Sequence, residues 1–466
     1  MKITDQSSVA ADFFGSHLGD SRRDDRLRKI LTVLTSRPAG KVSDVFRDPA
    51  SRQAAYDFLE HDTVSATALQ RAAARAVAKR CADFESVYMV LDGSSLTLTD
   101  REETKGFGSI GARSIGARGL KLLNALMLGP SGQTLGLVAQ CFWARQAKVD
   151  KKAYRPLHER ESGRWHDAFD SAHAALQEFA PETRAHVLAD REGDASLLMQ
   201  HIVKNGGDFT IRANGTRKVA VEGKRVLLLP LLKKLEPIAE HTVLVPGRDG
   251  RPARTAVLTV RAARVTLSMR DHQIHQRRNL ELTAIWAREE GTSRKDRLEW
   301  LLYTTVKAES ANDACDALVR YALRWRIEDF HRVLKRGGGC VEDSQLRSPT
   351  AVMKWATVHG IVASRAQRLR DAARTTPDAP ASTELSGEEI EALVLLKHSE
   401  KRRTETVSAE GLTLRLAVRW IGDLGGFTAT GVSKKMPGTT VITRGLERVL
   451  ETVSVLRLLR ASGKMR

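Results

Sequence analysis

Three carboxylates and a row of cations carry the chemistry that this sequence can offer. Asp92 follows the apolar run Val87-Tyr-Met-Val-Leu91, and Asp190 follows His186-Val-Leu-Ala189. Each stands where a buried strand would stop, the place where open α/β sheets gather functional groups. For either aspartate alone, a helix cap or turn former is the plainer reading. The third acid, Glu328, lies in Tyr321–Lys335, where the spacing of Leu323, Ile327, Phe330 and Leu334 predicts a helix with one buried side. On such a helix Tyr321, Arg324, Glu328, Arg332 and Lys335 share an arc of roughly 80°. A surface ion pair needs one cation per acid, and here three cations accompany one. A carboxylate that holds a divalent metal, beside cations that hold phosphates, accounts for the whole row. Asp, Asp and Glu without His or Cys suit Mg2+, with Mn2+ as its substitute, rather than Zn2+. A pair of such ions can activate a water or a 3′-hydroxyl during phosphodiester displacement.

The rest of the composition narrows the partner. The chain has 466 residues and a formal net charge of +19, so its partner is expected to be a polyanion. Nucleic acid is the first candidate and an anionic membrane surface the second. Acids and bases are interspersed along the whole chain, which assigns the charge to folded surfaces rather than to a tail. No apolar run approaches the ~20 residues of a membrane span. The opening MKITDQSSVAADFF lacks the apolar stretch of a signal peptide, so a cytoplasmic protein is expected. Cys81, Cys141, Cys315 and Cys340 form neither a CxxC pair nor a disulfide framework. No phosphate-binding P-loop suggests an ATP-driven step.

The elements that must position these residues fall into three parts. Residues 1–75 read as short helices, with Arg22, Arg23, Arg26, Arg28 and Lys29 leading into Ile30-Leu-Thr-Val-Leu34 and a turn at Pro38-Ala-Gly40. This stretch is either a DNA-docking module or a solvated basic face. Residues 76–371 read as an α/β domain. Its elements are strands at 87–91, 186–189, 209–213 and 300–304, a hairpin of Leu120–Leu128 with Thr134–Phe142, and helices at 162–179, 194–204, 311–334 and 350–371. Residues 103–119 read as a mobile Gly-, Ser- and Arg-rich loop, and 144–160 as a polar, basic connection. A β-rich insertion is expected over about 214–299, with turns at Gly247, Gly250 and Pro252 and a basic stretch at His275-Gln-Arg-Arg278. Ala372–Gly387 reads as a linker into a mostly helical segment, 372–466. The stripe of Leu446, Val449, Leu450, Val453 and Leu456 there is either internal core or a dimer contact.

The spacing Tyr321-x2-Arg324-x3-Glu328-x6-Lys335 resembles the Tyr-Arg-Glu-Lys signature of bacterial insertion-sequence DDE transposases. The resemblance covers nearly the whole chain. It includes Leu18-Gly-Asp20 with Arg22, Arg23 and Arg26, Glu161-Ser-Gly163 with Trp165, Ala189-Asp-Arg-Glu192, Trp300-Leu-Leu, Trp325-Arg-Ile-Glu328-Asp-Phe-His331 and Leu424-Gly-Gly-Phe427. It implies an RNase H-like catalytic domain with a β insertion, a helical N-terminal DNA-binding domain and a C-terminal dimerisation domain. It further implies that Asp92, Asp190 and Glu328 hold the metal ions. Tyr321, Arg324, Arg332 and Lys335 would grip phosphates near the cut, and Trp300 would stack on a flipped base while a hairpin forms at the transposon end. Arg212 and Arg217 would touch end DNA, and Arg22, Arg23 and Arg26 would read it. Two positions depart from the pattern. Leu91-Asp-Gly-Ser-Ser95 stands where an acid and a Thr pair surround the first aspartate, and Asn214 stands where a Lys follows Arg212. The expected activity is cut-and-paste transposition by a homodimer on double-stranded DNA. A structure-specific metal-dependent nuclease and a DNA-binding regulator without catalysis are the alternatives.

Overall fold

The computed structural model describes residues 18–111, 116–145, 156–245, 252–270, 277–291, 297–400, 406–428 and 436–463. The turns expected at Gly247 and Gly250, the opening residues 1–17, and parts of the 103–119, 144–160 and 275–278 stretches lie outside the described residues.

Four helices come first: α1 (Ser21–Ser36), α2 (Val42–Val45), α3 (Pro49–Glu60) and α4 (Ala66–Cys81). Short polar residues start the three longer ones. Asp20 accepts from Arg22 N at 2.8 Å, Asp48 from Ser51 N at 2.7 Å and Ser65 from Ala68 N at 3.0 Å, each satisfying an orphan donor of a first turn. Leu27, Ile30, Leu31 and Leu34 of α1 are buried in one cluster with Ile327, Phe330, Val352 and Trp355 from much later in the chain. The expected boundary at 75/76 falls inside α4, which joins two cores: Leu69 and Ala73 face the first, and Val77, Ala78 and Cys81 the second.

The sheet is built from β1 (Ser86–Thr97), β2 (Gly108–Ser109), β3 (Arg118–Leu128), β4 (Thr134–Trp143), β5 (Arg184–Ala189), β6 (Asp208–Arg212), β7 (Lys218–Val221), β8 (Lys224–Leu227), β9 (Ala239–Val245), β10 (Arg254–Arg270), β11 (Arg277–Glu289) and β12 (Glu299–Thr304). Its order is β2-β3-β1-β5-β6-β12-β11-β10-β7-β8, with β4 on β3 and β9 on β10. β1 pairs antiparallel with β3 and parallel with β5, and β5 is parallel to β6. The β-rich stretch therefore continues the main sheet through β12 instead of forming a separate layer. Part of the expected loop at 103–119 is strand, because Gly108 and Ser109 pair with Gly119 and Arg118. Between β4 and β6 lie α5 (Gly163–Phe179) and α6 (Ser196–Lys204), and after β8 comes the short α7 (Leu228–Lys233).

Beyond β12 the chain forms α8 (Ala311–Ala322), α9 (Trp325–Arg336) and α10 (Pro349–Thr375). The long helix expected over 311–334 is thus two. Arg324 N bonds to Tyr321 O at 3.0 Å and Ile327 N to Arg324 O at 3.1 Å, so a pinch of i to i+3 bonds separates them. α10 docks the N-terminal helices. Its Lys354, fully buried, donates to the carbonyls of Leu59 and His61 at the end of α3, and Trp355 Nε1 donates to Gly40 O at 2.7 Å. Gly40 must be glycine, since a Cβ there would lie 1.9 Å from Cys340 O.

The C-terminal part holds α11 (Gly387–Glu400), α12 (Leu414–Leu424) and α13 (Thr439–Ala461). The expected boundary at 371/372 falls inside α10, whose Ala366, Leu369 and Ala373 enter the third core with Trp420, Ile421 and Val449. The stripe of Leu446, Val449, Leu450, Val453 and Leu456 is buried within this chain, so it is internal core. The exposed apolar residues of α13 are Val455 and Leu458, 53% and 71% accessible. Among the described residues no helix is long and apolar enough to cross a membrane.

Candidate active site

Asp92 lies within a strand, not at its end. β1 runs on to Thr97 because β3 pairs with it through Thr97↔Gly119, whereas the parallel partner β5 stops at Leu91↔Ala189. Where β5 leaves the sheet, Asp92 loses its neighbour on one side and a crevice opens. Asp190, the first residue past β5, sits at the rim about one strand spacing away, ~5 Å. Its Oδ1 accepts from Glu192 N at 2.8 Å, which starts the short turn Arg191–Gly193. α9 lies over the same place. Arg324 reaches Asp92 Oδ1 at 3.6 Å with one guanidinium nitrogen and Glu328 Oε1 at 2.6 Å with the other.

The electrostatics of this crevice are unbalanced. Burial pushes the Asp92 carboxyl up to about 7; Arg324 opposes the shift, while Asp190, Glu328 and Glu192 add to it. Burial is the largest cause of that shift. Arg324 stands where a cation between Asp92 and Glu328 would stand. The oxygen-only donor set fits a hard divalent ion in chemistry, with the guanidinium as its stand-in. Among the described residues no three His, Cys, Asp or Glu side chains are gathered closely enough to hold a metal ion.

The other expected residues divide. Tyr321 is buried and packs edge-on against Trp300 at 5.6 Å between ring centroids. Trp300 is only 4% exposed, in a core of Leu258, Ile285, Leu302 and Leu318, so no base can reach its face in this conformation. The accessible aromatic beside the crevice is Trp325, 46% exposed, with the Arg324 guanidinium 5.6 Å from its ring centre. Lys335 is half-buried; burial lowers its pKa, and Asp92 is among the acids acting on it. Arg332 points to the outer surface and pairs with Asp329 at 2.9 Å, away from the acids. Arg212 donates to Glu299 O at 2.9 Å. Arg217 is held by Asp194 and Ser196 through 2.6–3.3 Å bonds. On α1, Arg22 is exposed and Arg26 and Arg23 half-buried, with Arg23 turned back to Leu18 O at 3.4 Å.

Four further residues complete the crevice. Glu192 adds negative charge at Asp92 and follows Asp190 by two positions, a spacing visible in the sequence. His331 follows Glu328 by three, one helical turn, and its Nδ1 lies 3.8 Å from Asp92 Oδ2. Burial holds His331 down to about 3, so it is neutral. Asn124 lies opposite Asp92, and Gln140 opposite Asn124, only through strand register, which no local pattern announces.

Residues 5–64 match the family model described as transposase DNA-binding. The match supports a transposase. It spans α1, α2 and α3, so the basic helix belongs to a DNA-binding segment rather than to an undirected solvated face. DNA is therefore the polyanion that the net charge anticipates.

Proposed function

We propose that this protein is a cut-and-paste DDE transposase of the Tyr-Arg-Glu-Lys type, similar to the transposase of transposon five. The observation that carries the reading is Arg324 bridging Asp92 and Glu328 beside Asp190, in a chain whose N-terminal segment matches a transposase DNA-binding model. The strand order β4-β3-β1-β5-β6, antiparallel and then parallel, fits an RNase H-like catalytic domain. Asp92, Asp190 and Glu328 would hold Mg2+ or Mn2+, which supplies Lewis acidity for attack by water or a 3′-hydroxyl.

The chain's own residues do the rest. The sheet and α9 would present the acids to one ion, with Asp92 the most deeply buried of them. Arg324, once released from the acids, and Lys335 would bind phosphates beside them. Arg22 and Arg26 would grip the transposon end, and Arg332 would meet DNA only on the outer side of α9. A role for Trp300 in a hairpin intermediate would need Tyr321 to swing away from its ring. A homodimer would bring two such sites to two ends.

The test is strand transfer. Purified protein is incubated with Mg2+, a pre-cut element end and supercoiled plasmid. Joined products are expected. Cleavage without joining would make the protein a nuclease, and binding without either would make it a regulator.

A further inference from the structure

A row of amides crosses three strands and ends on the first acid. Asp92 of β1 is registered opposite Asn124 of β3, and Asn124 opposite Gln140 of β4. Asn124 and Gln140 are buried, 0% and 3% exposed. Gly360 of α10 makes room for this row, since a Cβ there would lie 2.7 Å from Leu137 Cδ2 and 3.3 Å from the Gln140 amide. Gln140 Nε2 donates to Asn124 Oδ1 at 3.0 Å. That leaves Asn124 Nδ2 as the group facing His331 Nε2 at 2.8 Å. An amide NH2 can only donate, so Nε2 must be the accepting nitrogen of the ring. The ring proton then sits on Nδ1, the atom 3.8 Å from Asp92 Oδ2.

From this geometry we propose that His331 is a positioning residue for Asp92: the Gln140–Asn124 relay fixes its Nδ1–H tautomer, and that N–H orients the Asp92 carboxylate. The proposal rests on the reading of Asp92 as a cation ligand and deepens it. Arg324 addresses Oδ1 of Asp92 and His331 addresses Oδ2, so the carboxylate is held from both sides. At 3.8 Å the Nδ1–H contact is longer than a hydrogen bond, as contacts in unliganded active sites often are. Stability alone does not require the row. Two buried amides are a liability unless every partner is met, Gln140 Oε1 has no partner among the described residues, and apolar residues would pack there at least as well. Partners outside a ligand shell that fix its orientation change cation affinity by about 10–100-fold.

The experiment uses the full chain. In EDTA, 15N-labelled His331 is expected to show a protonated Nδ1 and an unprotonated Nε2; the reverse tautomer overturns the proposal. Asn124→Asp supplies acceptors only, so it should transfer the ring proton to Nε2 while His331 remains in place. Mn2+ binding, followed by electron paramagnetic resonance, should weaken about 10–100-fold in His331→Leu. In His331→Asn, which keeps an N–H near the Nδ1 position, most of that loss should return. DNA-end binding in EDTA should stay unchanged in both. Equal Mn2+ affinity in His331→Leu and wild type, or equal loss in the Leu and Asn variants, overturns the proposal. Wild-type protein that takes up no Mn2+ instead overturns the cation-site reading, and the tautomer measurement still decides the orientation of His331.

Discussion

Removing the charge of Asp92 should stabilise the metal-free protein. Burial and three neighbouring acids raise this carboxyl from 3.8 to about 7 in the fold. Because the folded pKa lies above the unfolded one, the ionised group costs stability above pH 7. That cost fades as pH falls through 7 toward 4. A shift of about three units corresponds to at most ~4 kcal/mol at pH 8 and roughly half that at pH 5. Asp92→Asn keeps the shape without the charge, and Arg324 keeps Glu328 as its partner at 2.6 Å. After allowance for the weakened pairing of Arg324, a net gain of about 1–3 kcal/mol is expected at pH 8. Urea denaturation of both proteins in EDTA at pH 8 and pH 5 measures it. Adding Mg2+ at pH 8 should cancel or reverse the difference, since an ion at a hundred times its Kd stabilises only the protein that binds it, by ~2.7 kcal/mol. A variant less stable than wild type at pH 8, or a gap that does not narrow at pH 5, would refute the electrostatic description of the crevice.

Three other perturbations separate the parts of the molecule. Glu328→Gln should leave DNA-end binding intact and abolish cleavage; gel-shift and nicking assays read the two, and cleavage within tenfold of wild type would take Glu328 out of the site. Lys335→Ala should flatten the dependence of DNA binding on salt by about one unit of slope, whereas Arg332→Ala, already paired with Asp329 on the outer face, should change it less. Equal slopes in the two variants would contradict the geometry. Gly445→Ala should destabilise the C-terminal helices by ~2 kcal/mol or more, because its Cβ would lie 1.7 Å from Ile421 O where α12 and α13 cross. Thermal unfolding that matches wild type would refute that close approach.

Much of this arrangement was legible in the residues themselves. The apolar runs before Asp92 and Asp190 marked buried strands, and one helical spacing located Glu328 with Arg324 and Lys335. What the pattern could not carry was register and context. Val87–Leu91 looked like a strand that ended at the acid, yet antiparallel pairing with β3 carries it to Thr97. The pinch at Arg324 has no Pro or Gly to announce it, and the residues around it keep right-handed helical dihedrals. Arg332 shares α9 with Glu328, yet its side chain turns to Asp329 and solvent, a choice of partner that helical spacing does not reveal. The relay of Asn124 and Gln140 exists only because three strands align, and a local reading sees two unremarkable amides. The stripe on α13 was read correctly as buried, but whether its cover was this chain or a second one depended on the position of α12.

The central claim is that Asp92, Asp190 and Glu328 share one divalent-cation site. Mn2+ binding to the full chain, measured by electron paramagnetic resonance for wild type and for Asp92→Asn, Asp190→Asn and Glu328→Gln, tests it most directly. The account predicts tight binding in wild type and its loss in each single variant. Undiminished binding in all three, or none in wild type, would contradict it.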